Sequence, residues 1–178
     1  AGEGGFITTN DHGLAQRVRA IGNQGRREDR GWFEHYTLGS NYRMTAFQAA
    51  VLLPQLQRLP EQNRTRARNA AAIRAACPSI KWQRVPDEAE VQTNYLLLGH
   101  IENRGRFHAA VTAAGVPCTP FYPHTLYNNP LYRDGGCSVM PCPVSEQSIE
   151  DAFWFPHRVL LGDEETTQQI ASAIQSAI

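Results

Sequence analysis

Lysine is nearly missing from this sequence: 16 of its 17 basic residues are arginine, and Lys81 is the lone lysine among 178 residues. Chemistry that needs an amine nucleophile therefore has one candidate in the chain. Net charge is missing too, because 17 basic residues face 17 acidic ones, which removes bulk attraction to nucleic acid or an anionic membrane. No apolar run approaches the roughly 20 residues that span a bilayer, and no basic stretch leads into an apolar one as in a signal peptide. Cysteine is sparse, and Cys77, Cys118, Cys137 and Cys142 form neither a C-x-x-C pair nor a zinc pattern. They read as reduced thiols of a cytosolic protein, with no metal site expected. The phosphate loops G-x-G-x-x-G and G-x-x-x-x-G-K-[ST] are absent, so dinucleotide and ATP or GTP chemistry lack support.

What is present is enough chain for one large domain or two small ones with a real core. Phe6–Thr9 reads as a strand, and Asn10-Asp11 offers an N-cap to a helix ending near Gly22 or Gly25. Residues 22–40 form a long arginine-rich, aromatic-spotted loop. Thr45 with Gln48 makes a capping-box pattern for the next helix, which Pro54 should kink. Pro60 is expected to start a further, alanine-rich helix to about Cys77, ended by Pro78. Beyond it the texture is α+β: strands at Ile80–Arg84, Asn94–Ile101 and Pro117–Tyr122, and a helix over Arg104–Gly115 with Phe107, Val111 and Ala114 inward. A short helix capped by Ser145, an extended Phe153–Phe155 and a last helix capped by Asp163 follow. Residues 1–77 thus look like the trailing part of one domain, and 78–178 like a small α+β domain.

Two segments carry candidate chemistry. Asn41 and Arg43 sit just before a helix start, where free N–H groups and the dipole favour an anion such as phosphate; a turn-stabilising amide and a surface ion pair would use the same residues. His124 lies in a polar, aromatic loop, Phe121–Tyr127, where acid–base or hydroxyl-binding work is plausible. His157 is a weaker case of the same kind, and His108 is expected on a solvated helix face. From the residues alone the chain is an α/β protein with an anion site and a polyol-friendly loop.

The motifs G-E-G-G-F-I-T-T-N-D (residues 2–11), L-G-S-N-Y-R-M-T-A-F-Q-A-A (38–50) and Q-L-x-R-L-x-E-Q-N-R-x-R-x-x-N-A (55–70) closely resemble the DegT/StrS family. So do Gly115-Val116-Pro117 and the segment from Tyr122-Pro123 to Tyr132. Trp154–Gly162 resembles the branch that includes scyllo-inosose aminotransferases and aminohydroxybenzoate synthases. These are pyridoxal-phosphate-dependent aminotransferases of keto-sugars and keto-cyclitols. The resemblance implies the C-terminal part of a fold-type I α/β enzyme, with residues 1–77 ending the large cofactor-binding domain and 78–178 forming the small α+β domain. It further implies that the cofactor-bearing lysine lies upstream of Ala1, that a missing N-terminal half and a second copy complete a homodimer, and that the isolated chain is inactive. Lys81 is then a surface residue on a small-domain strand.

The same resemblance assigns roles position by position. Asn41 matches the asparagine that reaches the cofactor phosphate of the neighbouring subunit, with Arg43 at that boundary and Tyr42 supporting the loop. Tyr122 and His124 correspond to the small-domain segment near the sugar or cyclitol. Trp32 and His35, in the loop over 25–37, would cover the opposite subunit's site. Gly2, Glu3, Gly4 and Gly5 would turn the chain tightly behind the cofactor lysine. The expected reaction moves an amino group from glutamate or glutamine to the keto substrate. Two rivals stay open: a dehydratase of the same family with histidine in place of that lysine, and a truncated, non-catalytic partner subunit. Apolar surface left bare on residues 1–77 is expected to make the chain poorly soluble or dependent on association.

Overall fold

The computed structural model describes residues 2–84, 92–136 and 138–178; Cys137, counted above among the thiols, lies outside them. The chain divides into two compact units, Ala1–Leu59 and Pro60–Ile178.

In the first unit, Asp11 caps α1 (His12–Gly22) by accepting from the Leu14 amide at 3.0 Å. This satisfies one of the amides that a helix start leaves free. After α1 the chain loops out and returns along its own base: Ser40 N–H donates to Ile21 O (2.9 Å), Gln24 N–H to Ser40 O (3.0 Å) and Tyr42 N–H to Gly22 O (2.9 Å). Asn23 and Asn41 form an antiparallel bridge, and Tyr36 N–H donates to Gly25 O at 2.8 Å. Two glycines permit this close approach. Gly25 has φ +82°, and a Cβ on it would stand 1.8 Å from Thr37 O; one on Gly39 would stand 2.4 Å from Ile21 O.

The expected strand at 6–9 is not formed: these residues carry no ladder hydrogen bonds. A strand exists through a paired neighbour, and the described part of this unit offers none. Apolar burial is just as scarce. Ala20 and Gly25 are the only buried residues among 2–59, whereas Phe33 is 81% and Leu38 95% exposed, the bare apolar surface expected for this part of the chain.

The helix α2 (Ala46–Ala76) is continuous through Pro54 and Pro60, so the two helices expected on either side of Pro60 are one. Each proline removes one backbone donor, and the segment between them, Gln55-Leu56-Gln57-Arg58-Leu59, is made of strong helix formers that bridge the gap. The capping box forms as expected: Gln48 N–H donates to Thr45 Oγ1 (3.2 Å) and Thr45 N–H to Gln48 Oε1 (3.0 Å).

The second unit holds a four-stranded antiparallel sheet in the order β1 (Lys81–Trp82), β2 (Leu96–His100), β4 (Ala152–Pro156), β3 (Thr119–Pro120). Its core joins Ala70 and Ile73 of α2, Leu97, Phe107 and Val111 of α3 (Arg104–Ala113), Phe153, Phe155, and Ile174 of α6 (Glu164–Ala177). Gly99 lies opposite Phe153; a Cβ there would come within 2.9 Å of the ring. Asp163 caps α6 through Thr166 N–H at 2.9 Å, as expected.

Several boundaries shift. β1 and β3 shrink to two residues each, because each lies at a sheet edge with one neighbour to pair. Ala114 is exposed, and Val116 takes the buried place beyond the helix end. After the four-residue α4 (Pro130–Arg133), α5 (Pro143–Asp151) starts at a proline with Cys142 in the cap position, in place of the cap expected at Ser145. Proline suits a first turn, where its missing N–H would be unpaired anyway.

Polar side chains tie this core to its loops. Asn69, 2% exposed, donates from Nδ2 to Leu160 O (3.0 Å) and Gly162 O (2.8 Å). Arg66 donates to Thr93 O at 2.8 Å and to Asn63. Arg104 caps the C-terminus of α5, donating to Ile149 O and, at 3.1 Å, to Ala152 O. His108 is not a solvated face residue: its Nε2 meets Cys118 O at 3.2 Å.

His100 Nδ1 lies 2.7 Å from Asp151 Oδ1, and the carboxylate, an acceptor only, requires the proton on Nδ1. Desolvation pushes the Asp151 carboxyl up, but hydrogen bonds from His100 and Gln147 and the His100 and Lys81 charges outweigh it and hold the group below its ordinary value. The pair's stabilisation is therefore whole above about pH 4 and is lost as pH falls through the depressed folded value. Asp151→Asn is expected to lower the urea midpoint at pH 7, by an amount that shrinks as the pH is taken down through the depressed folded value of the carboxyl. Equal losses across that range would contradict this account.

Candidate functional site

Within the first unit, the fold gathers the glycine-rich start and the motif around Asn41. A Cβ on Gly4 would stand 3.2 Å from Met44 Cε, and Gly5, Phe6, Arg26, Tyr42 and Arg43 share the lining of one cavity of about 950 Å³. Gly2 (φ +72°) and Gly4 (φ +154°) adopt backbone that L side chains rarely take, so this turn depends on glycine. Glu3 is exposed.

Asn41 is held by main chain on both flanks, through the bridge to Asn23 and the amides of Ser40 and Tyr42. Its Oδ1 accepts from Arg43 Nε at 2.8 Å. The amide Nδ2 has no partner, and Arg43 has no carboxylate partner among the described residues. Tyr42 projects its ring outward, 74% exposed. The segment just ahead of α2 is thus rich in donors and positively charged, with a helix start behind it.

In the loop over 25–37, the Arg26 guanidinium lies 4.9 Å from the centre of the Trp32 ring, within cation–π range. Arg27 grips Asp29 with two hydrogen bonds of 3.0 and 2.9 Å and sits 5.9 Å from the Tyr36 ring. His35 spends Nδ1 on Gln24 O at 2.7 Å, at the loop base. Arg27 holds the Asp29 carboxyl below its usual range. Arg26 Nε and Asn23 Oδ1 are buried without partners among the described residues and belong to residues that line the same cavity.

The second unit carries the other candidates. Phe121, Tyr122 and Trp154 pack as a trio, with ring centres 5.2 Å (Phe121–Tyr122), 5.8 Å (Phe121–Trp154) and 5.6 Å (Tyr122–Trp154) apart. Trp154 falls between the buried Phe153 and Phe155 and outside the core cluster, so strand alternation turns it to the other face of the sheet. There it lies opposite Thr119, and Phe121 N–H donates to Ala152 O at 3.0 Å, which continues the pairing past the strand. Tyr122 is 63% exposed. Sequence reading missed Trp154; the signal was the run Phe153-Trp154-Phe155, whose middle member must face away from its neighbours. His124 is exposed and, among the described residues, joins neither the trio nor any hydrogen bond. The loop is fastened to α5 by Tyr127, whose hydroxyl bonds Glu146, raising the phenol above its ordinary pKa.

Lys81 is exposed at the start of β1. Cys118 is inert at neutral pH, its thiol pushed up to about 12 by burial. Among the described residues no cluster of His, Cys, Asp or Glu could hold a metal ion, and no helix is long and apolar enough to cross a membrane.

The arrangement is that of the C-terminal part of a fold-type I aminotransferase. An aminotransferase from Brucella abortus superposes with a TM-score of 0.81 at 26% identity, over 94% of this chain and 44% of that one. The sequence matches the DegT/DnrJ/EryC1/StrS aminotransferase family over residues 1–175, and the chain belongs to that family. It is 33% identical over 162 residues to the UDP-2-acetamido-2-deoxy-3-oxo-D-glucuronate aminotransferase of Pseudomonas aeruginosa, covering 87% of this chain and 42% of that protein. It is 28% identical over 212 aligned positions to the L-glutamine:2-deoxy-scyllo-inosose aminotransferase of Streptoalloteichus tenebrarius, covering 100% of this chain and 50% of that protein. The chain spans about half the length of the curated relatives it matches.

Proposed function

We propose that this chain is the C-terminal portion of a homodimeric, pyridoxal-phosphate-dependent aminotransferase that moves an amino group from glutamate or glutamine to a keto-sugar or keto-cyclitol. Residues 1–77 would end its large domain and 78–178 form its small one. The observation that carries this reading is the donor pair Asn41–Arg43 ahead of α2: among the described residues, an unspent amide Nδ2 beside a guanidinium without a carboxylate. That donor set fits an anion such as a phosphate dianion. When bound, the cofactor supplies the electron sink for amino transfer.

In this reading Asn41 reaches the cofactor phosphate of the neighbouring subunit, Arg43 stands beside it at that boundary, and Tyr42 supports the segment. Gly2, Glu3, Gly4 and Gly5 set the turn beside the cofactor lysine, which the missing half would contribute, because the only lysine here sits on the edge of the small-domain sheet. Tyr122, with Phe121 and Trp154, offers an aromatic wall to the C–H face of a sugar or cyclitol, and His124 serves the hydroxyls. Trp32 and His35 cover the site of the opposite subunit and keep water out.

The test uses the longer protein that carries this chain. Asn41→Asp puts a negative charge where an amide donor stood, so pyridoxal phosphate should bind at least about tenfold more weakly. Equilibrium dialysis measures this. Wild-type affinity in the variant would remove the phosphate role of Asn41, and no visible absorbance band on adding cofactor to the parent would sink the aminotransferase reading.

A further inference from the structure

We infer that Arg43 is a positioning residue that fixes which end of the Asn41 amide is presented to an anion. The inference rests on the reading of Asn41 given above and adds a second residue to it.

A carboxamide has an acceptor end and a donor end of nearly the same shape, so a flip of the side chain costs little unless a neighbour tells the ends apart. For a phosphate dianion the difference is decisive: Nδ2 attracts it and Oδ1 repels it. The backbone of Asn41 is already fixed, by the bridge to Asn23 and by the amides of Ser40 and Tyr42 donating to Ile21 and Gly22 at 2.9 Å each. Rotation of the side-chain amide is the freedom that remains. Arg43 removes it. A guanidinium can only donate, and its Nε lies 2.8 Å from Asn41 Oδ1, so the flipped amide would set N–H against N–H.

The contact uses Nε, which leaves both terminal nitrogens of Arg43 outside this bond. The two-residue spacing puts the orienting group on the same short segment as the group it orients, so the pair travels together wherever this segment docks. The charge of Arg43 also strengthens the bond to Oδ1 and polarises the Nδ2 protons toward the anion.

A double-mutant cycle in the longer protein tests this, with the dissociation constant of pyridoxal phosphate from the apoprotein as readout and inorganic phosphate as competitor. Asn41→Ala should weaken binding about tenfold to a hundredfold, roughly one lost charge-assisted hydrogen bond, and Arg43→Ala about several-fold. The double variant should bind about as weakly as Asn41→Ala alone, because Arg43 has nothing left to orient. Arg43→Lys, still a pure donor, should recover most of the affinity; Arg43→Gln, which can accept from Nδ2 and stabilise the flipped amide, should not. Losses that multiply in the double variant would overturn the inference and make Arg43 an independent phosphate contact. An unchanged constant in Asn41→Ala would instead remove the reading of the site on which the inference rests. Matching far-UV circular dichroism across the series confirms that both residues, exposed on the surface, are not needed for folding.

Discussion

Phe153→Ala should cost the second unit about 3–5 kcal/mol, the range for removing a fully buried aromatic side chain. The ring is 0% exposed and touches three others: Phe107 at 4.7 Å, Phe155 at 5.4 Å and Trp82 at 6.2 Å between centroids. The space it leaves cannot collapse easily, because its cross-strand neighbours are Gly99, which has no side chain to move in, and Pro120, whose ring is locked to the backbone. Domain stabilities lie at about 5–15 kcal/mol, so one substitution takes a large share of the whole. Urea unfolding followed by Trp82 and Trp154 fluorescence measures the loss; a cost below about 1.5 kcal/mol would show that the site relaxes.

Gly25→Ala is expected to open the base of the loop over 25–37 while the second unit keeps its stability. A methyl at this position meets Thr37 O at 1.8 Å, on a backbone with φ +82°. The left-handed conformation alone costs about 1–2 kcal/mol for an L residue, and the overlap forbids the native approach altogether. Tyr36 N–H would leave Gly25 O, and the Asn23–Asn41 bridge would part with it. Limited trypsin digestion should then cut fastest at Arg26, Arg27 and Arg30, with the urea transition of the core unmoved. Wild-type cleavage at these arginines would contradict the role given to Gly25.

What could be read from the sequence was mostly local. Asp11, Asp163 and the Thr45–Gln48 box name their helix starts, because a cap is made of neighbours a few residues apart. The short edge strands were not readable, since pairing is decided by residues far along the chain. Pro60 misled for a related reason: a single missing donor outweighs little when the turns around it favour a helix. The N-R-x-R-x-x-N motif carried a family signature but no physical role, and its role proves to be mechanical, with Asn69 fastening two carbonyls 91 and 93 residues away. Asn41 and Arg43 stood out by position; that the one orients the other needed coordinates. Lys81 is exposed on its strand, as the resemblance and its place after Pro78 implied.

The first unit is shaped by main-chain hydrogen bonds and glycine contacts, while apolar side chains such as Phe33 and Leu38 stay in water. Heat capacity of unfolding grows with the apolar surface newly wetted, and this unit has almost none left to wet. The heat-capacity step on melting therefore arises nearly all from residues 60–178, and the fold of the first unit gains little from the hydrophobic effect at any temperature. Its order comes from hydrogen bonds and close backbone contacts, so cooling does not weaken it as cooling weakens a hydrophobic core, while warming does.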